Sequence, residues 1–310
     1  MKRRSLLATA GLTVVATAAR GQTKGPPRIG VLSDDLHDAA LFREAMQERG
    51  WPPSAYSLEV RSAGGHGERL DELARELVAA KVDAIVAILT PAALAAKRAT
   101  ATIPIVMQAG DPVGNGVVAS LAYPGGNVTG VDSAAATLGS KRVELLKEIL
   151  PSLQRLALLI NPPDPFSKSL VAQVQAAGAT AKVAVEVVAA ADLDAAMREL
   201  EKSRIEAVVV QPSLPLRRVA ERLLAARLPG ISGGRLFVQA GGLLSINAPR
   251  SEWYRLLALC LDKILKGTPP SDIPVMQTSQ FELSVNLATA RRLGLTMPQI
   301  VMARADEVIE

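Results

Sequence analysis

From Arg28 onward the sequence changes period repeatedly: short apolar runs alternate with longer stretches whose apolar residues recur every three or four positions. Runs such as Ala84-Ile-Val-Ala-Ile-Leu89 and Leu156-Ala-Leu-Leu-Ile160 are apolar at every position, as in a strand buried on both faces. Strands of this kind separated by amphipathic helices imply a parallel sheet covered by helices on both sides.

The first series of strands is predicted over residues 28–33, 56–62, 84–89, 103–107 and 128–131, with helices over 39–49, 67–80 and 91–99. A helix over 138–150 ends at Pro151, and the alternation starts again. Strands over 156–160, 183–188, 207–210, 230–232 and 243–246 then enclose helices over 167–178, 193–202 and 216–227. Each series has the size of one ordinary α/β domain. The fold class expected is therefore α/β, with two doubly wound parallel-sheet lobes: 25–133 in the first, 134–249 in the second, and 250–310 divided between them. That tail reads as a helix over 252–266, a break at Gly267-Thr-Pro-Pro270, a strand over 281–285 and a helix over 287–293 capped by Asn286. It is too short for its own core and should pack back on the lobes. The chain then crosses between lobes near 132–137, 246–250 and 276–282, forming a three-segment hinge.

Residues 1–24 read as an export signal: Lys2, Arg3 and Arg4 precede an apolar stretch from Leu6 to Ala19, with Ala16 and Ala18 as small residues for cleavage. Arg3-Arg4-Ser5-Leu6-Leu7 is compatible with twin-arginine export as well as the general secretory route. Lys2, Arg3, Arg4 and Arg20 supply all but one of the formal charges of +5, so a mature chain near +1 has no strong attraction to nucleic acid or to a membrane surface. Cys260 is the single cysteine, which leaves no internal disulfide, no cysteine metal cluster and no cysteine near the signal to carry a lipid. A freely soluble periplasmic product, acting as a monomer, is the expectation.

In open parallel sheets ligands bind beyond the carboxyl ends of the strands. First-lobe candidates there are Ser33 and Asp34, Thr90 with Pro91 and Ala92, and Gln108 with Asp111. Thr90-Pro91 announces a helix N-terminus, where free backbone N–H groups suit a small anion. Second-lobe candidates are Asn161, Phe166, Gln211, Ser213, Ser232 and Asn247, small and polar apart from Phe166. Of only nine aromatics, Tyr123 and Phe166 stand best to cover an apolar ligand face.

Catalytic constellations are sparse. His37 and His66 are the only histidines, and no nucleophile elbow or phosphate loop is present. Gly114-Asn-Gly116-Val-Val-Ala119 fits a dinucleotide-binding pattern, but it follows Asp111-Pro112 rather than a strand, and Tyr123-Pro-Gly-Gly126 ends any helix within three turns. It reads better as a connection through a short helix. No NAD, other cofactor, metal or enzymatic activity is expected.

The stretch Gly110-Asp-Pro-Val-Gly-Asn-Gly-Val-Val-Ala-Ser-Leu-Ala-Tyr-Pro-Gly-Gly-Asn-Val-Thr-Gly130 closely resembles a signature of the ABC transporter substrate-binding protein family, whose members include binders of aromatic amino acids. Matches continue through Val82 to Thr100, Ala240-Gly-Gly-Leu-Leu-Ser245, Asp262 to Gly267 and Phe281 to Leu295. The resemblance implies a type 1 periplasmic-binding-protein fold that clamps a small organic solute, amino acid or carboxylate, and delivers it to importer permease subunits. It also implies ligand contacts at Thr90 and the Asp111 loop. The chain departs from some amino-acid binders at Gln211-Pro-Ser-Leu-Pro215, where those have an Asp-Asn-Thr-like run, so that position lacks a carboxylate for an α-ammonium group. The alternatives are a sensory receptor of the same fold and a secreted α/β enzyme. A repressor of this fold would need an N-terminal helix-turn-helix where the signal stands.

Overall fold

The computed structural model describes residues 25–33 and 37–310, so the export-signal reading and the candidate Asp34 lie outside the described residues. The first series contains β1 (Arg28–Ser33), α1 (His37–Glu48), β2 (Ser57–Ser62), α2 (Leu70–Ala79), β3 (Ala84–Ile88), α3 (Thr90–Ala99), β4 (Ile105–Ala109) and β5 (Val128–Asp132). The second runs through α4 (Ala135–Ile149), β6 (Arg155–Ile160), α5 (Phe166–Ala181), β7 (Ala184–Ala189), α6 (Leu193–Lys202), β8 (Ala207–Val210), α7 (Leu216–Ala225), β9 (Gly230–Ser232), α8 (Arg235–Gln239) and β10 (Leu244–Asn247). The tail adds α9 (Arg250–Leu265), β11 (Met276–Gln277), β12 (Glu282–Asn286), α10 (Leu287–Leu293), α11 (Gln299–Met302) and β13 (Glu307–Ile309).

Two sheets form, in the orders β11-β5-β4-β3-β1-β2 and β13-β12-β10-β9-β8-β6-β7. Every pairing is parallel except β10 with β12. Helices cover both faces of each sheet, which is why β3, β4 and β8 are buried along their whole length. The tail is shared: α9 packs on α1, β4 and β5, whereas β12 and β13 extend the second sheet.

The chain passes between the sheets at 133–134, 248–249 and 278–281. Asp132 ties two of these crossings together. Its Oδ1 accepts from the Ala134 N–H at 3.0 Å and its Oδ2 from Gln277 Nε2 at 3.3 Å, while its carbonyl accepts from the Thr278 N–H. Burial raises the Asp132 carboxyl above its ordinary pKa, an effect the two donors oppose and the charge of Asp111 reinforces.

The structure corrects one part of the sequence reading in this lobe. No helix forms between Asp111 and Asn127; the segment is a series of turns. Asp111 adopts φ +46° and its Oδ1 accepts from the Gly114 N–H at 3.0 Å, so the side chain closes its own turn. Lys97 then holds the loop by donating to the carbonyls of Gly116 and Val117. The short elements α8, α11, β11 and β13 were not anticipated, being too brief to show a period.

Candidate functional site

Facing strand exits of the two lobes enclose two cavities. The larger, about 1220 Å³, is walled by Asp38, Leu41, Ile88 and Leu89 with Arg250 and Trp253 of α9 from one lobe, and by Pro212, 214–218, Glu221, 233–236, Gln239 and Asn247 from the other. The smaller, about 580 Å³, lies between Gly114-Asn115 and the segment following β6, including Asp164, Ser167 and Lys168. Among the described residues no helix is long and apolar enough to cross a membrane, and no group of three or more His, Cys, Asp or Glu is placed to hold a metal.

In the first lobe the candidates brace one another at the strand exits, and none of Ser33, Thr90, Pro91, Ala92, Gln108 and Asp111 itself lines either cavity. Thr90 opens α3, but its hydroxyl does not cap the helix: it donates to the Gly110 carbonyl at 3.3 Å and accepts from the Gly110 N–H at 3.2 Å. Leu89 takes φ +73°, a strained conformation for a bulky side chain, and its N–H donates to Gln108 Oε1 at 3.1 Å. Ser33, Ala92 and Gln108 are buried, while Pro91 and Asp111 are partly exposed.

The second-lobe candidates converge on a residue absent from the candidate set, Asp164. Its Oδ2 accepts from Gln211 Nε2 at 2.8 Å and from Ser213 Oγ at 2.5 Å, and its Oδ1 accepts from the Phe166 N–H at 3.0 Å. Gln211 Oε1 in turn accepts from the Asn161 N–H and from Ser167 Oγ. A carboxylate therefore stands beside 211–213 after all, supplied by the β6 exit. Burial raises its pKa, and the hydrogen bonds from Ser213, Phe166 and Gln211 oppose the shift. The sequence signal was Asn161-Pro-Pro-Asp164, a turn opening α5, but spacing gives no sign that it meets the β8 exit.

The structure places the other candidates less uniformly. Asn247 lines the larger cavity; Ser232 is buried beneath its rim, with its hydroxyl donating to the Val210 carbonyl. Phe166 is 5% exposed and packs in the second-lobe core, which corrects its reading as a cover for ligand. Tyr123 is 80% exposed. His66 is exposed and faces Glu68. Cys260 is buried, which pushes its thiol up to about 12 and makes it unreactive.

Arg142 on α4 also escaped the sequence reading. It is fully buried, lies at the helical spacing of the core residues Leu138, Leu145, Leu146 and Ile149, and has no hydrogen-bond partner for Nε or Nη1. An arginine in an otherwise apolar stripe is the signal that could have found it.

A model of the family described as ABC transporter substrate binding protein matches residues 34–309. The tyrosine-binding protein of Clostridioides difficile (strain R20291) is 27% identical over 283 residues, covering 86% of this chain and 80% of that protein. The crystal structure of an ABC domain from Streptococcus pneumoniae in complex with L-Trp is similar at a TM-score of 0.82 and 26% identity, over 92% of this chain and 100% of that one. A conserved domain protein from Vibrio cholerae O1 biovar eltor gives 0.84 at 25% identity, over 91% and 99%. The two helix-covered sheets, the three crossings and the facing strand exits are those of a solute-binding protein, and the match over 34–309 makes the chain a member of the ABC transporter substrate-binding protein family.

Proposed function

We propose that this chain is the periplasmic receptor of an ABC importer and holds one small organic solute between its lobes, with an aromatic amino acid or a related carboxylate as the first class to test. The observation that carries this reading is the cavity of about 1220 Å³ whose walls come from both lobes, beside three chain crossings that allow one lobe to move against the other. A ligand touching both walls favours the closed arrangement by its differential affinity for it. The bound L-Trp of the Streptococcus structure and the name of the Clostridioides relative support the ligand class. The basic and apolar N-terminal residues support export.

Thermal-shift screening of residues 25–310 against amino acids, aromatic carboxylates, polyols, nucleosides and NAD tests the reading. At 100 times its dissociation constant, a true ligand adds about 2.7 kcal/mol of stability. Saturable stabilisation by one solute class, with the solute recovered unchanged, is the expected result. Stabilisation by NAD alone, or conversion of the bound compound, would contradict it.

A further inference from the structure

Among the described residues, Arg142 carries a charge without a counter-charge at the base of the cleft. Its guanidinium reaches the carboxyl edge of the second sheet, where Nη2 makes one long hydrogen bond, 3.4 Å, to the Ile246 carbonyl. Nε and Nη1 have no partner. Among the described residues no Asp or Glu forms an ion pair with it, and burial is the influence on its pKa, which it lowers to about 10. A fully buried, uncompensated cation is costly, so such a group is ordinarily matched by an anion.

Its surroundings indicate where that anion would come from. A Cβ built on Gly233 would lie 2.7 Å from Arg142 Nη2, 3.3 Å from Asn247 Nδ2 and 3.3 Å from Pro212 Cγ. Gly233, Asn247 and Pro212 all line the larger cavity, so the guanidinium stands directly behind that wall. Gly233 has no side chain to separate the two. The first-lobe alternative for an anion is weaker, because the Thr90 hydroxyl is already engaged by Gly110 on both its donor and acceptor sides.

The geometry points to Arg142 as the anchor for a ligand carboxylate, reached past Gly233 and Asn247 at the floor of the cleft, with the planar guanidinium offering paired N–H donors. This assignment rests on the solute-binding reading and narrows it to solutes that carry a carboxylate. The carboxylate supplies the missing counter-charge, and a neutral isostere would leave the buried cation unmatched.

The test pairs carboxylates with their primary amides: L-tryptophan with L-tryptophanamide, L-tyrosine with L-tyrosinamide, and indole-3-propionate with its amide. Each pair is titrated calorimetrically into the wild type, Arg142→Gln, Arg142→Lys and Gly233→Ala. At least one carboxylate should bind the wild type. Arg142→Gln should weaken it on the order of 10- to 100-fold, the range for hydrogen bonds to charged groups, while the amide changes little. Arg142→Lys should recover part of the loss. Gly233→Ala, which keeps the arginine but crowds Nη2, should weaken carboxylate more than amide, and it keeps the test decisive if Arg142→Gln does not fold. Equal losses for acid and amide in both variants, or unchanged carboxylate affinity in Arg142→Gln, would overturn the assignment and leave solute binding intact. Wild-type binding of only solutes without a carboxylate would do the same, and binding of no panel member or polyol would overturn both.

Discussion

Gln211 shows how a single side chain can organise one wall of the cleft. It donates to Asp164 while accepting from Asn161 and Ser167, so it joins the β6 and β8 exits. Gln211→Leu removes these three interactions and the hydrogen bond donated to Ser213 Oγ, leaving a buried carboxylate short of a donor and the Asn161 N–H without its acceptor. We expect a loss of about 2–4 kcal/mol in urea unfolding. Asp132 behaves differently, because burial raises its pKa in the folded state above the ordinary value of 3.8. The folded protein then binds that proton more tightly than the unfolded chain, so the contribution of Asp132 to stability is greatest at low pH and is lost as pH rises through the folded pKa. Asp132→Asn can keep the oxygen that accepts from Ala134, and relative to wild type it should gain stability as pH rises from about 4 toward neutrality. Parallel melting series from pH 4 to 8 check this; a gap that does not change with pH would contradict it. The chemical character of these groups was legible in the sequence, since Asn161, Gln211, Ser213 and Asn247 were all identified at strand exits. Their partners were not, because Asp164 lies 47 residues from Gln211 and Arg142 lies 104 from Ile246.

At the scale of elements, the glycine-rich stretch 110–130 illustrates why one motif can contain several distinct constraints. Gly130 lies in β5 at φ +143°, and a Cβ there would come within 2.0 Å of the Met107 carbonyl oxygen on β4. Gly126 also has positive φ, +62°, but a Cβ there would meet open space. Gly126→Ala should therefore cost about 1–2 kcal/mol, from backbone strain alone. Gly130→Ala should cost more than about 3 kcal/mol or prevent soluble folding, because β4 and β5 must separate. Equal midpoints for the two variants in urea unfolding would refute this distinction. Most long elements were readable from their period: the helix over 193–202 and the strands over 207–210 and 230–232 have the bounds expected from the sequence. The short helix expected between Gly114-Asn-Gly116 and Tyr123 does not form, because Asp111 and Lys97 close the segment into turns through contacts that no local pattern shows. In the structure Val117 and Val118 instead anchor the loop in the first-lobe core.

At the scale of the whole molecule, two sheets are joined by three short crossings, at 133–134, 248–249 and 278–281, which are the places where a rotation of one lobe against the other would be absorbed. The fold class was legible because alternation of fully apolar strands with amphipathic helices restarts after Pro151. The shape of the cleft was not, because it depends on how the lobes face one another rather than on any local pattern. Small-angle X-ray scattering of residues 25–310, with and without a saturating amount of the solute that stabilises the protein most, tests the central claim directly. Closure of the lobes on the ligand should give a smaller radius of gyration in the bound state; an unchanged radius at full occupancy would contradict binding between the lobes.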